Sequence, residues 1–210
     1  MSKLTVEFFH DAVCGWCYVQ SPRLRQIAQE MDINIVQRCF VLQRNNEEIV
    51  QRFGSLEQAK TEILGHWVAC KQHADDPSSI DIEGMAKKDF TYPSGYLAAL
   101  GAKAAELMGD TNTHWDFFDA VQNQHLRINN NIGDESILIE TAQSIGLNPI
   151  EFQEKLNSDE VKEAVEADLV LARRYQIRSI PTLVINGEKV ISQTLSLEQM
   201  RQVFSQLQAA

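Results

Sequence analysis

The sequence is poor in cysteine and in positive charge, has no long apolar run, and contains no Asn-x-Ser/Thr sequon. Four cysteines among 210 residues are too few to staple a small secreted scaffold. With the missing sequons they predict a reducing compartment, the cytoplasm. The opening Met1-Ser2-Lys3-Leu4-Thr5-Val6-Glu7 puts a carboxylate where the apolar segment of a secretory leader would have to run, so no leader is expected. No stretch approaches the roughly 18 apolar residues needed to cross a bilayer, which excludes membrane insertion. Nineteen Lys plus Arg against 29 Asp plus Glu leave a net charge of −10, which repels phosphate backbones and anionic lipid heads, so neither nucleic acid nor a membrane is an expected partner. What remains is ordinary: 44% hydrophobic and 23% charged residues, ten Gly and five Pro, the composition of a globular chain with one large domain or two small ones.

Along the chain, Leu4 to Phe9 is short, apolar and rich in β-formers, and reads as a strand ending at His10-Asp11. From Trp16 to Met31 apolar residues recur at helical spacing, with Pro22 expected to kink the helix rather than end it. Ile33 to Leu42 reads as a second strand, and the three pieces predict a parallel βαβ unit. From Asn45 to about Tyr175 the alternating pattern vanishes and helical stripes take over. Ser55 with Gln58 resembles a capping box ahead of Leu56, Ala59, Ile63, Trp67 and Cys70. Further helices are expected near 95–108, 114–127, 134–145 and 159–175, and Asp75 to Thr91 reads as loop. Thr182 to Ile185, Asn186-Gly187 and Lys189 to Ser192 then give a hairpin signal, and Ser196 is placed to cap a last helix from Leu197 to Leu207. The order is βαβ, helices, ββα, an α/β class with no internal repeat.

Cys14-Gly15-Trp16-Cys17 falls between the first strand and the first helix, the setting in which two cysteines three apart read as a redox dithiol. A helix start offers free N–H groups and the positive end of the helix dipole to a sulfur anion, so Cys14 is the expected nucleophile. Cys17, one turn in, is the expected resolving thiol. A zinc site would need two more ligands at suitable spacing. Cys39, in the middle of the second strand, and Cys70, on an apolar helix stripe, read instead as core thiols. His66, Cys70 and His73 share one helix face, but Cys70 belongs to the stripe of Ile63 and Trp67, so no metal is expected. Trp115, Phe118 and Val121 repeat at helical spacing and read as core packing.

The segment Asp11-Ala12-Val13-Cys14-Gly15-Trp16-Cys17-Tyr18, the helical insertion, Pro22 and the run Ile180-Pro181-Thr182-Leu183-Val184-Ile185-Asn186-Gly187 resemble the DsbA-like branch of the thioredoxin superfamily. The likeness is greatest to its FrnE-like cytosolic members. It implies a thioredoxin-like fold made of 1–44 and 176–210, interrupted by an all-helical insertion at 45–158, with the helix 159–175 leading back. It implies a dithiol-disulfide oxidoreductase or isomerase acting on thiol or disulfide proteins and peptides, with glutathione or thioredoxin as reducing partner. No bound cofactor is implied, and glutathione is the candidate co-substrate. It further implies a cis Pro181 that presents the backbone of Ile180 beside Cys14, and a buried Glu7 that shuttles the Cys17 proton. Trp16, Ile180, Pro181 and His10 are the candidate substrate-binding residues. One departure stands out: such motifs often carry Pro after the first Cys, and here the residue is Gly15.

Two other readings share parts of this pattern. A kappa-type glutathione transferase or 2-hydroxychromene-2-carboxylate isomerase has the same split fold but generally a Ser in place of Cys14 and no second thiol. A binding module without chemistry would use only the groove near Pro181. A helix N-terminus stabilises a sulfur anion by about 0.3 to 1 kcal/mol, at most ~2. The uncharged Gly15 and Trp16 add nothing to this, which predicts a thioredoxin-like poise and a reductase or isomerase rather than a primary oxidant.

Overall fold

In the computed structural model, which describes residues 3–209, one four-stranded sheet carries helices on both faces. β1 (Leu4–His10), α1 (Gly15–Glu30) and β2 (Ile33–Cys39) form the expected parallel unit, with Leu4 beside Ile33 and His10 beside Cys39. β3 (Thr182–Ile185) pairs antiparallel with β1, and β4 (Lys189–Ile191) closes the edge, giving the order β2-β1-β3-β4. Asn186 and Gly187 both take positive φ, 53° and 72°, the conformation that a tight hairpin requires and that Asn-Gly adopts most readily. α10 (Leu197–Ala209) follows. Its start is a reciprocal capping box: Gln199 N–H donates to Ser196 Oγ at 3.1 Å and Ser196 N–H to Gln199 Oε1 at 2.8 Å.

Alternation along β1 sorts the two faces. Leu4, Val6 and Phe8 join Cys17, Leu24, Ile27 and Phe204 in the larger core, under α1 and α10. Phe9 turns to the other face and meets Ala172, Ile177, Val184 and Tyr175. Each such large apolar side chain, fully buried, contributes about 1.5–3 kcal/mol before entropy is counted.

Between β2 and β3 run α2 (Asn46–Phe53), α3 (Leu56–His73), α4 (Ile82–Lys87), α5 (Tyr96–Met108), α6 (Thr111–Asn123), α7 (Glu135–Ser144), α8 (Pro149–Leu156) and α9 (Asp159–Arg174). A single 3-10 turn lies at Pro77–Ser79 and a π-helical turn at Gln124–Ile128. Several sequence expectations need correction. The structure adds α2, α4 and α8 to the expected helices, so Asp75 to Thr91 contains α4 rather than loop alone. β2 stops at Cys39 instead of Leu42, because beyond it Phe40 N–H still reaches His10 O but Leu42 N–H turns to the Asp11 carboxylate. Cys39 therefore ends the strand rather than occupying its middle. Ser55 Oγ accepts from Gln58 N–H at 3.1 Å. Reciprocal bonds form at Asp110 with Thr113 and at Ser196 with Gln199. α1 runs through Pro22 without a break. Among the described residues no helix is long and apolar enough to cross a membrane.

Candidate active site

Cys14 is the N-cap of α1, with extended backbone (φ −87°, ψ 108°), and its sulfur accepts from Cys17 N–H at 3.3 Å. No acidic side chain stands in the first turn of α1, so no carboxylate there competes with the sulfur, although Cys17 N–H is shared with Cys14 O at 3.1 Å. On its other side the Cys14 thiol faces the Ile180 carbonyl, 3.8 Å away. The Ile180–Pro181 peptide is cis. Cys14 is 7% exposed and Cys17 not at all, which orders them as outer and inner sulfur. Burial, with the Cys14 sulfur beside it, holds the Cys17 thiol well above its ordinary range. All four cysteines are free thiols.

The loop before α1 is fixed from several elements. Gln122 Nε2 on α6 donates to Cys14 O at 3.0 Å. Tyr92 Oη donates to Val13 O at 3.0 Å and lies 2.9 Å from His125 Nε2, so that nitrogen carries the proton. Burial lowers the His125 pKa to about 3, which keeps the ring neutral. The Asp11 carboxylate accepts from Val13 N–H at 3.2 Å and Leu42 N–H at 2.8 Å. A Cβ on Gly95 would collide with that carboxylate, so only glycine lets the two segments approach. Burial raises the Asp11 pKa to about 6 despite these donors. Its backbone N–H serves the Cys17 sulfur, and its charge opposes ionisation there.

Two of the candidate residues lie elsewhere than expected. Glu7 is buried but sits on the sheet face opposite Cys17, as strand alternation requires of a neighbour of Phe8. Its carboxylate takes Arg38 Nε at 2.8 Å and Tyr175 Oη at 2.9 Å. Arg38 also reaches Asp168 at 3.2 Å, so Glu7 belongs to an ion network under α9, and the carboxylate beside Cys17 is Asp11. His10 is 2% exposed, lies 3.8 Å between ring centroids from Phe118 and meets no substrate surface. Burial and the neighbouring His114 and Lys103 hold its pKa well below the usual histidine value. His10 is thus a neutral core residue.

Trp16, Ile180 and Pro181 do flank the nucleophile. Trp16 packs against His73 with ring centroids 5.3 Å apart and the planes tilted by 60°, and divides two depressions. One holds Ile180, Pro181, Ser192, Gln193 and Thr194. The other is a cleft of about 230 Å³ that opens on Cys14, with apolar walls from Leu42, Phe53, Ile63 and Trp67. Its charged lining consists of Arg52 and Arg178, with His66 beside them and no carboxylate, against a whole-chain charge of −10. His66, Cys70 and His73 do not converge: His73 Nδ1 bonds Ala69 O at 2.9 Å, and among the described residues no group of three or more His, Cys, Asp or Glu is arranged to hold a metal. Trp115, Phe118 and Val121 are core, with Trp115 Nε1 donating to Ser21 Oγ at 2.6 Å. Arg52, Arg178, Gln122 and Tyr92 had no signal in the sequence, since each reaches the site only through the fold.

A thioredoxin-like sheet split by helices, with a dithiol at the first helix start and a proline loop beside it, defines the class. A profile of the DSBA-like thioredoxin domain matches residues 5–205, and the chain belongs to that family. Among named relatives, the ClpXP adapter protein SpxH of Halalkalibacterium halodurans is 33% identical over 190 residues, covering 89% of this chain and 60% of that protein. The chain thus spans between about a third and three fifths of the length of such relatives. A solved structure from Nitrosomonas europaea superposes with a TM-score of 0.81 at 20% identity, over 99% of both chains. The cytosolic disulfide reductase DsbM from Pseudomonas aeruginosa gives 0.77 at 16% identity, over 98% of this chain and 100% of that one, and has also been solved with GSH.

Proposed function

We propose that the protein is a thiol-disulfide oxidoreductase that works as a reductase or isomerase, with Cys14 as nucleophile and Cys17 as resolving thiol. The observation that carries this reading is the Cys14 sulfur capping α1, with Cys17 N–H at 3.3 Å and the Ile180 carbonyl opposite. The Cys14 thiolate attacks a substrate disulfide, one sulfur of the substrate leaves as a thiol, and a mixed disulfide remains. Cys17 then gives its proton to Asp11, attacks Cys14 Sγ and releases the second substrate thiol, leaving a Cys14–Cys17 disulfide. An external thiol, glutathione or thioredoxin, returns the pair to the dithiol. Arg52 and Arg178 favour a carboxylate-bearing thiol such as glutathione in the cleft, and a peptide strand fits along Ile180. A reducing compartment, the cytoplasm, suits a pair that must rest reduced.

The test is turnover of a protein disulfide with glutathione as reductant, in the wild type and in Cys14→Ser and Cys17→Ser proteins. Loss of turnover in both variants, with mixed disulfides accumulating on Cys14 in Cys17→Ser, is the expected result. Undiminished glutathione-dependent turnover in Cys17→Ser would instead favour transferase or isomerase chemistry needing one thiol only. A potential near about −120 mV for the couple would make it an oxidant and overturn the direction.

A further inference from the structure

Gly15 stands directly after the nucleophile, and its surroundings leave no room for a side chain. A Cβ at position 15 would lie 2.9 Å from Cys70 Sγ and 3.3 Å from Cys70 Cβ. A third sulfur thus fills the space of the side chain that would follow Cys14. α3 delivers Cys70 to the wall of the cleft on which Cys14 opens, and the two thiols are similarly enclosed, 2% and 7% exposed.

We propose that Cys70 is a second resolving thiol for Cys14, which displaces a bound thiol when Cys17 is not available. This rests on the reading of Cys14 as the nucleophile. In a mixed disulfide between Cys14 and a substrate thiol, the Cys70 sulfur attacks Cys14 Sγ. The bond to the substrate sulfur breaks and a Cys14–Cys70 disulfide forms. Cys70 is oxidised, and the substrate sulfur is reduced and leaves with the electron pair, taking up the proton that Cys70 gives to the cleft. Burial pushes the Cys70 thiol up to about 12, and the charge of Cys14 is the next cause. Once Cys14 is held in a mixed disulfide that charge is gone, so Cys70 ionises more readily at the stage where its attack is needed. Cys17 remains the faster partner, because its own thiol is already hydrogen-bonded to that of Cys14.

The test treats Cys17→Ser and Cys17→Ser/Cys70→Ser proteins with oxidised glutathione, followed by a denaturing alkylating quench and peptide mass mapping. Cys17→Ala repeats the measurement should serine at the buried position disturb α1. The expected result is loss of glutathione from Cys14 in the single variant, with a Cys14–Cys70 cross-linked peptide in its place, and retention of glutathione on Cys14 in the double variant. Retention in the single variant with Cys70 alkylated overturns the inference and leaves Cys14 as nucleophile. Failure of Cys14 to take up glutathione in either variant overturns both.

Discussion

Asp11 carries the most consequence of any single side chain, because its folded pKa of about 6 exceeds the ordinary carboxylate value. A raised acid binds its proton more readily in the folded state. Between about pH 4 and 6 the folded protein therefore holds more protons than the unfolded chain, and stability falls as pH rises through that window. Wild type minus Asp11→Asn unfolding free energy should decline by about 3 kcal/mol across it, measured by urea denaturation at several pH values. The same group predicts that resolution of a mixed disulfide by Cys17 accelerates as pH rises through about 6 in wild type. Asp11→Asn should lose that rise and slow the step by roughly 100-fold in stopped-flow single turnovers. Gly15→Ala, whose new methyl meets Cys70 Sγ at 2.9 Å, should cost about 1–3 kcal/mol, and Gly15→Ala/Cys70→Ala should recover most of it in a double-mutant cycle. Of these residues, Cys14 and Cys17 were legible in the sequence because spacing alone defines a dithiol. Glu7 was misassigned because a six-residue apolar strand leaves its facing ambiguous, and only pairing with Arg38 on β2 and Tyr175 after α9 settles it.

The elements divide the same way. The hairpin at Asn186-Gly187 and the starts of α3 and α10 were legible because each is fixed by residues within four positions. α2, α4 and α8, at 8, 6 and 8 residues, are too short to display a periodic stripe, although Asn148-Pro149 ahead of α8 is a start signal in its own right. The π-helical turn after α6 brings His125 under Tyr92, and no periodicity announces such a turn. Tyr92→Phe removes both the donor to Val13 O and the acceptor for His125 Nε2. With two buried groups left unpaired, it should destabilise by about 1–3 kcal/mol in thermal or urea unfolding and loosen the loop that carries Cys14.

Across the whole molecule, the helices between β2 and β3 give the sheet one wall of a cleft that the sheet alone would lack. Phe53, Ile63 and Trp67 come from α2 and α3, while Arg178 arrives just before β3. Arg52→Ala/Arg178→Ala should raise KM for glutathione roughly tenfold with kcat little changed, and a thiol lacking carboxylates should show no such loss. Added salt should imitate the double variant, since both guanidinium groups are exposed. The pairing of Val6 with Ile185 has a further consequence for synthesis. The central strand meets its antiparallel neighbour only after β2 and all the helices between β2 and β3 have been made, so this contact is far apart in sequence and closure of the sheet comes late. Until then the β1 edge stays open to other chains, and Cys14 waits without its Ile180 neighbour. Emergence of β3, more than any local propensity, sets when the nascent domain closes this edge against aggregation and premature oxidation.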